Sequence, residues 1–270
     1  MTIEQIDRTD FGAAWQEWHR EHERQLADPH GFLAVTGLYW LTATPTRYPG
    51  APGAWATDEG GPSVLLDKDE ELLVDGHAVR GRHRFGVIPE REERRASFGD
   101  AVVEVAKRGG RDILRPRHPD HPLRTQFTGV PAFTPDSRWV LAGRYLPFDA
   151  PRPVRIGAAV EGIEHIYDAV GEIEFGFGGE TLRLTAFGGW APGSLSILFT
   201  DATSGVTTYA ANRYLTVEPP DEDGAVVLDF NRALNLPCAY TDFATCPLPP
   251  AENHLTVAIE AGEKTPYERA

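Results

Sequence analysis

Apolar residues recur at helical spacing in one clear stretch of the chain. Phe11, Trp15, Trp18, His22 and Leu26 follow at intervals of 4, 3, 4 and 4, which lays them along one stripe of a helix. The pattern predicts a helix over residues 10–28, with Asp10 as its N-cap. The Asp28-Pro29-His30-Gly31 sequence stops it. Two tryptophans on one stripe read as an anchor to the protein body, with a ligand platform as the rarer alternative.

Beyond residue 31 the pattern shortens to that of strands. Residues 32–41 form a nearly continuous apolar run that suits a buried strand or a short helix. Residues 45–62 read as a Gly/Pro-rich loop, followed by short runs at 63–66, 71–74 and 84–88. Residues 89–100 read as a charged linker. Residues 101–107 and 111–115 flank Gly109-Gly110, a hairpin signal. Three prolines in residues 116–122 remove donors and fix φ, so no regular element is expected there. Strands are then expected at 139–146 and 154–159, and a hairpin at 172–177 and 181–187 around Gly178-Gly179. Two more, at 195–200 and 206–217, are joined by the Asp201-to-Gly205 turn. A last one covers residues 225–230. Many short strands and one amphipathic helix predict a mainly β protein: a single-domain antiparallel barrel or two-sheet sandwich with an N-terminal helix. Residues 1–31 would be the helix packed on the body, and residues 32–270 one β-rich domain ending in a proline-rich segment.

Composition narrows the function classes. Hydrophobic residues at 41% and charged residues at 24% are the proportions of a globular protein. No apolar run approaches the roughly 20 residues that span a bilayer, so no membrane role is expected. The N-terminus lacks a basic region followed by an apolar one, which points to the cytoplasm. There Cys238 and Cys246 are expected as thiols. A net charge of −14 disfavours nucleic acid, whose binding rests on neutralising phosphates. Residues 76–124 nevertheless hold 12 Arg and Lys against seven Asp and Glu. Such a basic middle is either a set of solvated strands or a lure for a small anionic ligand.

Candidate chemistry gathers in residues 229–264. On an alternating strand Asp229 and Asn231 would project from one side, with Phe230 on the other. Asp229 then offers an acid or base, Asn231 a donor, and Arg232 a fork for a carboxylate or phosphate. Equally, the three would bond the irregular backbone that follows. Upstream, Thr207, Tyr209 and Arg213 share a face if residues 206–217 are a strand. An inward Arg213 near Asp229 or Glu260 is then a buried ion pair or a ligand clamp. Glu260 and Glu263 around Gly262 are further acid-base candidates, at a separation the sequence does not supply. Cys238, Cys246 and His254 offer three zinc ligands where a structural site needs four with closer cysteine spacing, so no metal is assigned. A nucleophilic cysteine would need His254 or Asp242 beside it, and buried thiols are the commoner outcome. The glycines at 176–179 and 188–189 sit in strand turns and make no phosphate loop.

These residues also carry a likeness. Phe199-Thr-Asp-Ala-Thr-Ser-Gly205, Thr208-Tyr209, Arg213-Tyr-Leu215, Asp229-Phe-Asn-Arg-Ala233, Pro237-Cys-Ala239, Ala244-Thr-Cys-Pro-Leu-Pro-Pro250, Glu252-Asn253 and Glu260-Ala-Gly-Glu-Lys264 together resemble the domain-of-unknown-function family numbered 1684. Gly37-Leu-Tyr-Trp-Leu41 adds an early signature, and the likeness runs from about Phe32 to Lys264. The resemblance implies one β-rich domain and no established activity. The family usually shows Pro where this chain has Leu236 and Arg where it has His254, so chemistry through His254 would not be a family mechanism. The expectation is a small-molecule enzyme of hydrolase type, with Asp229 and Glu260 catalytic and Tyr209, Arg213, Asn231 and Arg232 binding an anionic or polar substrate. A non-catalytic ligand-binding domain is the alternative, and a purely structural segment the third. Cofactor and oligomeric state are not specified.

Overall fold

The computed structural model describes residues 8–267. Helix α1 covers Arg8–Leu26. Its backbone is already helical at Arg8, so Asp10 lies inside the helix and is not its N-cap. The expected stop holds: the Asp28 carboxylate accepts from the His30 backbone N–H at 2.8 Å, and Gly31 N–H donates to the Asp28 carbonyl at 2.9 Å. Trp15 is buried and Trp18 half-buried. No helix among the described residues is long and apolar enough to cross a membrane. The protein is mainly β, with its named strand pairings all antiparallel.

The chain divides into two compact units. One holds residues 24–128 and 241–245. Its strands are β1 (Tyr39–Trp40), β2 (Thr46–Arg47), β3 (Ala54–Asp58), β4 (Gly61–Leu65), β5 (Leu72–Val74), β6 (His77–Val79), β7 (Arg82–Arg84), β8 (Glu93–Phe98), β9 (Ala101–Arg108) and β10 (Arg111–Arg117). They form a six-stranded sheet ordered β1-β10-β9-β8-β5-β6 and a four-stranded sheet ordered β2-β3-β4-β7. Trp55, Leu72, Val103, Val105 and Leu114 lie at the centre of its core.

The sequence pattern misplaced several of these elements. The apolar run at 32–41 is a 3-10 turn, Phe32–Ala34, followed by the two-residue β1. Leu33, Ala34 and Val35 are fully buried without belonging to a strand. The expected loop at 45–62 contains β2, β3 and the start of β4. The expected linker at 89–100 contains β8, which pairs with β9 from Glu93 to Phe98. Its charges are side chains at the surface, where Arg95 Nε donates to Glu93 at 2.8 Å, and they leave the backbone free to pair. Strand β10 continues through Pro116, which lies past the end of the β1 pairing and offers only its carbonyl, accepting from Thr36 N–H at 2.9 Å.

The other unit holds α1 up to Glu23, residues 129–240, and the chain from Cys246 onward. Its sheet is ordered β15-β14-β13-β12-β11-β16. The strands are β11 (Val140–Gly157), β12 (Glu164–Phe177), β13 (Glu180–Gly188), β14 (Leu195–Phe199), β15 (Arg213–Val217) and β16 (Ala225–Asp229). The two strands expected at 139–146 and 154–159 are one, interrupted only by a register shift between Pro147 and Arg152. The 178–179 hairpin is present as drawn. Residues 206–212 are not a strand; Val206, Thr207 and Thr208 N–H groups all turn back onto the Thr203 carbonyl. Phe199, Phe230, Leu255 and Ile259 lie in the core that this sheet shares with the C-terminal segment. Every described peptide bond is trans, Cys246–Pro247 included.

Candidate functional site

Strand β16 ends at Asp229, and the chain enters a 3-10 turn, Phe230–Arg232. The turn breaks the strand alternation that was expected to set Asp229 and Asn231 side by side, but the two still meet. The Asp229 carboxylate caps the turn, accepting from Asn231 N–H at 3.1 Å and from Asn231 Nδ2 at 2.8 Å. Asn231 is buried and pairs with the backbone of Asp136 in both directions: its Oδ1 accepts from the N–H at 2.9 Å and its Nδ2 donates to the carbonyl at 3.0 Å. Trp15 Nε1 donates to the Asn231 carbonyl at 2.7 Å, which docks α1 on the turn. Arg232 is half exposed, with its Nε 3.3 Å from Asp229 and its guanidinium over the Trp18 ring at 5.2 Å. Asp229 and Asn231 thus bond each other and nearby backbone, and Arg232 pairs with Asp229.

Arg213, expected near Asp229 or Glu260, is fully buried against the backbone on either side of Glu260, and its carboxylate partner is Asp201. It donates to Asp201 Oδ2 at 2.6 Å and to the carbonyls of Ala261 and Ile259 at 2.5 and 3.1 Å. Asp201 also accepts from Thr203 N–H and Ile259 N–H. The pair ties the 201–205 turn to the C-terminal segment.

Glu260 is exposed. Three residues on, Glu263 is 1% exposed. Gly262 between them has φ +75°, and a Cβ there would lie 2.5 Å from the Ala233 carbonyl oxygen, so only glycine lets the chain pass and turn Glu263 inward. Glu263 Oε2 accepts from Asn235 N–H at 2.7 Å, while Oε1 lies 3.2 Å from His22 Nε2 and 3.5 Å from His19 Nε2. Burial alone would raise its pKa, but the histidines and the Asn235 N–H hold it below the usual carboxylate range. His19 stacks on Trp15 at 4.6 Å. The His19-x-x-His22 spacing on one helix face was the available signal for this cluster.

Cys238 and Cys246 are both buried thiols, and Cys238 N–H points at Cys246 Sγ at 3.3 Å. His254 does not join them; its Nδ1 lies 3.0 Å from Thr200 Oγ1. Among the described residues no group of three His, Cys, Asp or Glu is placed to hold a metal ion.

Thr200 and His254 instead border a cleft of about 500 Å³. Leu248, Pro249, Pro250, Ala251, Tyr209, Ala210 and Ala211 line the rest of it. The walls are held firmly. Tyr209 OH donates to the Cys238 carbonyl at 2.9 Å, and Asn212 Nδ2 to the Pro247 carbonyl at 2.7 Å. Asn253 donates to the Thr185 and Leu198 carbonyls at 2.9 and 2.8 Å, which fixes the residues between Pro250 and His254. Of the residues expected to bind a ligand, Tyr209 lines this cleft; Arg213, Asn231 and Arg232 do not, nor do Asp229 and Glu260.

A model of the family described as "Protein of unknown function (DUF1684)" matches residues 125–264, which contain the whole cleft. The chain is also similar to the solution NMR structure of an uncharacterised protein of Haloarcula marismortui, with 33% identity over 54% of this chain and 81% of that one, at a TM-score of 0.45. No curated protein matches.

Proposed function

The chain belongs to the DUF1684 family of proteins of unknown function, and we propose that it binds a small molecule with an apolar body and a polar end in the cleft beside Tyr209. The observation that carries this is the lining: proline, leucine and alanine walls, with the polar groups of Thr200, Tyr209 and His254 at defined places. Small-molecule sites have this makeup and a volume of roughly 300–1,000 Å³. Pro249 and Pro250 have fixed φ, so the wall loses little freedom when a ligand settles. The arginines that would favour an anionic ligand are engaged elsewhere. A neutral polar group, donating to or accepting from His254 and Thr200, suits the cleft.

The test is an NMR titration of the ¹⁵N-labelled protein with benzyl alcohol and cyclohexanol as probes. Saturable shifts should centre on the amides of residues 200, 209–211 and 251–254. Ala251→Trp, which fills the cleft from an exposed position, should weaken binding at least about tenfold, or 1.4 kcal/mol, with the melting temperature unchanged. Shifts that do not saturate, or that centre elsewhere, would contradict the proposal.

One contact favours a second, hydrolytic reading. A hydroxyl 3.0 Å from an imidazole is the pairing that activates a nucleophile or a water. p-Nitrophenyl acetate hydrolysis should then fall about 100-fold in His254→Ala and Thr200→Val. Turnover no faster than free imidazole at equal concentration would remove the hydrolytic reading and leave the binding one standing.

A further inference from the structure

Neither reading uses the two cysteines, yet the fold brings them together with care. Cys238 sits in the 3-10 turn Pro237–Ala239, and Cys246 lies eight residues later, before Pro247. Both are buried, at 3% and 8% exposure. The Cys246 sulfur accepts from the backbone N–H of Cys238 at 3.3 Å, which places it directly beside the residue that carries the other thiol. The strand-like contacts around them fix both ends. The Cys238 carbonyl accepts from Tyr209, the Cys246 carbonyl from Ala159 N–H at 2.8 Å, and the Pro247 carbonyl from Asn212. Asn212 Oδ1 also lies 3.9 Å from Cys238 Sγ. Hydrogen bonding to Cys246 holds the Cys238 thiol below its usual pKa range even though burial pushes the other way, which favours its thiolate. Two merely space-filling cysteines would not need a polar cradle.

We propose that Cys238 and Cys246 are a reversible dithiol–disulfide pair, oxidised by hydrogen peroxide. The Cys238 thiolate attacks one peroxide oxygen, the O–O bond breaks, and the other oxygen leaves as hydroxide and takes up a proton to become water. Cys238 is then a sulfenic acid. The Cys246 sulfur attacks the Cys238 sulfur, the S–O bond breaks, and the hydroxyl leaves as a second water with the Cys246 proton. Two thiols and one peroxide thus give one disulfide and two waters. Peroxide is small enough to reach a buried pair through local opening, and a bulkier disulfide oxidant should be slower.

The pair can be read by mass spectrometry on the full-length protein. No Lys or Arg lies between Ala233 and Glu263, so one tryptic peptide, residues 233–264, carries both cysteines. After peroxide, denaturation and alkylation, that peptide should be lighter by two hydrogens and carry no alkyl group. Dithiothreitol should restore two alkylated cysteines. With dimedone present, Cys246→Ser should be labelled at Cys238, and Cys238→Ser should be labelled at least tenfold less. Two alkylated cysteines after peroxide, or sulfinic acid on either one, would overturn the proposal. The wild-type measurement decides the question even if a variant fails to fold.

Discussion

Asn231 and Arg232 stand next to each other in sequence and have opposite energetic weight. Asn231→Ala would leave the Asp136 N–H and carbonyl without their buried partner, at a cost of about 1–3 kcal/mol. We expect a loss of about 2 kcal/mol in urea unfolding, with ligand binding of the folded fraction unchanged. Arg232→Ala removes an ion pair from a side chain that is 48% exposed and should change stability by less than about 1 kcal/mol. Equal effects of the two would contradict this division. The sequence showed these residues as a set but not what they touch, because their partner, Asp136, lies 95 residues away. The same limit hid the choice between Glu260 and Glu263. Alternation has no meaning in an irregular segment, and the left-handed backbone at Gly262 decides which carboxylate turns inward.

Elements were legible where their cause is local. Gly109-Gly110 and Gly178-Gly179 adopt positive φ and close the two hairpins expected of them. Elements were not legible where charge hides the strand pattern: β8 opens with Glu93, Arg94 and Arg95 and is a strand because β9 is beside it. Gly262→Ala tests a local cause directly. It combines positive φ with backbone contact at 2.5 Å, so a loss of more than about 1 kcal/mol is expected. Within β9 and β10 a buried ion cluster gives a pH signature. Glu104 takes both Arg115 and Arg117 under the Phe32 ring. Burial raises its pKa, but the two guanidiniums outweigh burial and hold the carboxyl at about 2, below its ordinary 4.5. The unfolded chain therefore takes up this proton first on acidification. The stability from Glu104 is whole above pH 4.5 and is lost as pH falls toward 2. Glu104→Gln should weaken that pH dependence of unfolding, and an unchanged slope would count against the pairing.

At the scale of the whole molecule, composition and strand count were enough to give a mainly β protein with antiparallel sheets and an N-terminal helix. Each of the two compact units has its own core and is assembled from separate stretches of the chain, so no single boundary in the sequence announces the division. The net charge of −14 repels anions at long range, and the cleft has no arginine or lysine to offset that, which further favours a neutral ligand. The central claim is that this cleft is where the protein meets a small molecule. A crystal soaked with a library of neutral fragments tests it most directly. We predict bound fragments packed between Tyr209 and Pro249-Pro250, with a polar atom within hydrogen-bond distance of His254 or Thr200. Fragments that gather reproducibly at another place, with this cleft left filled by water alone, would contradict the account.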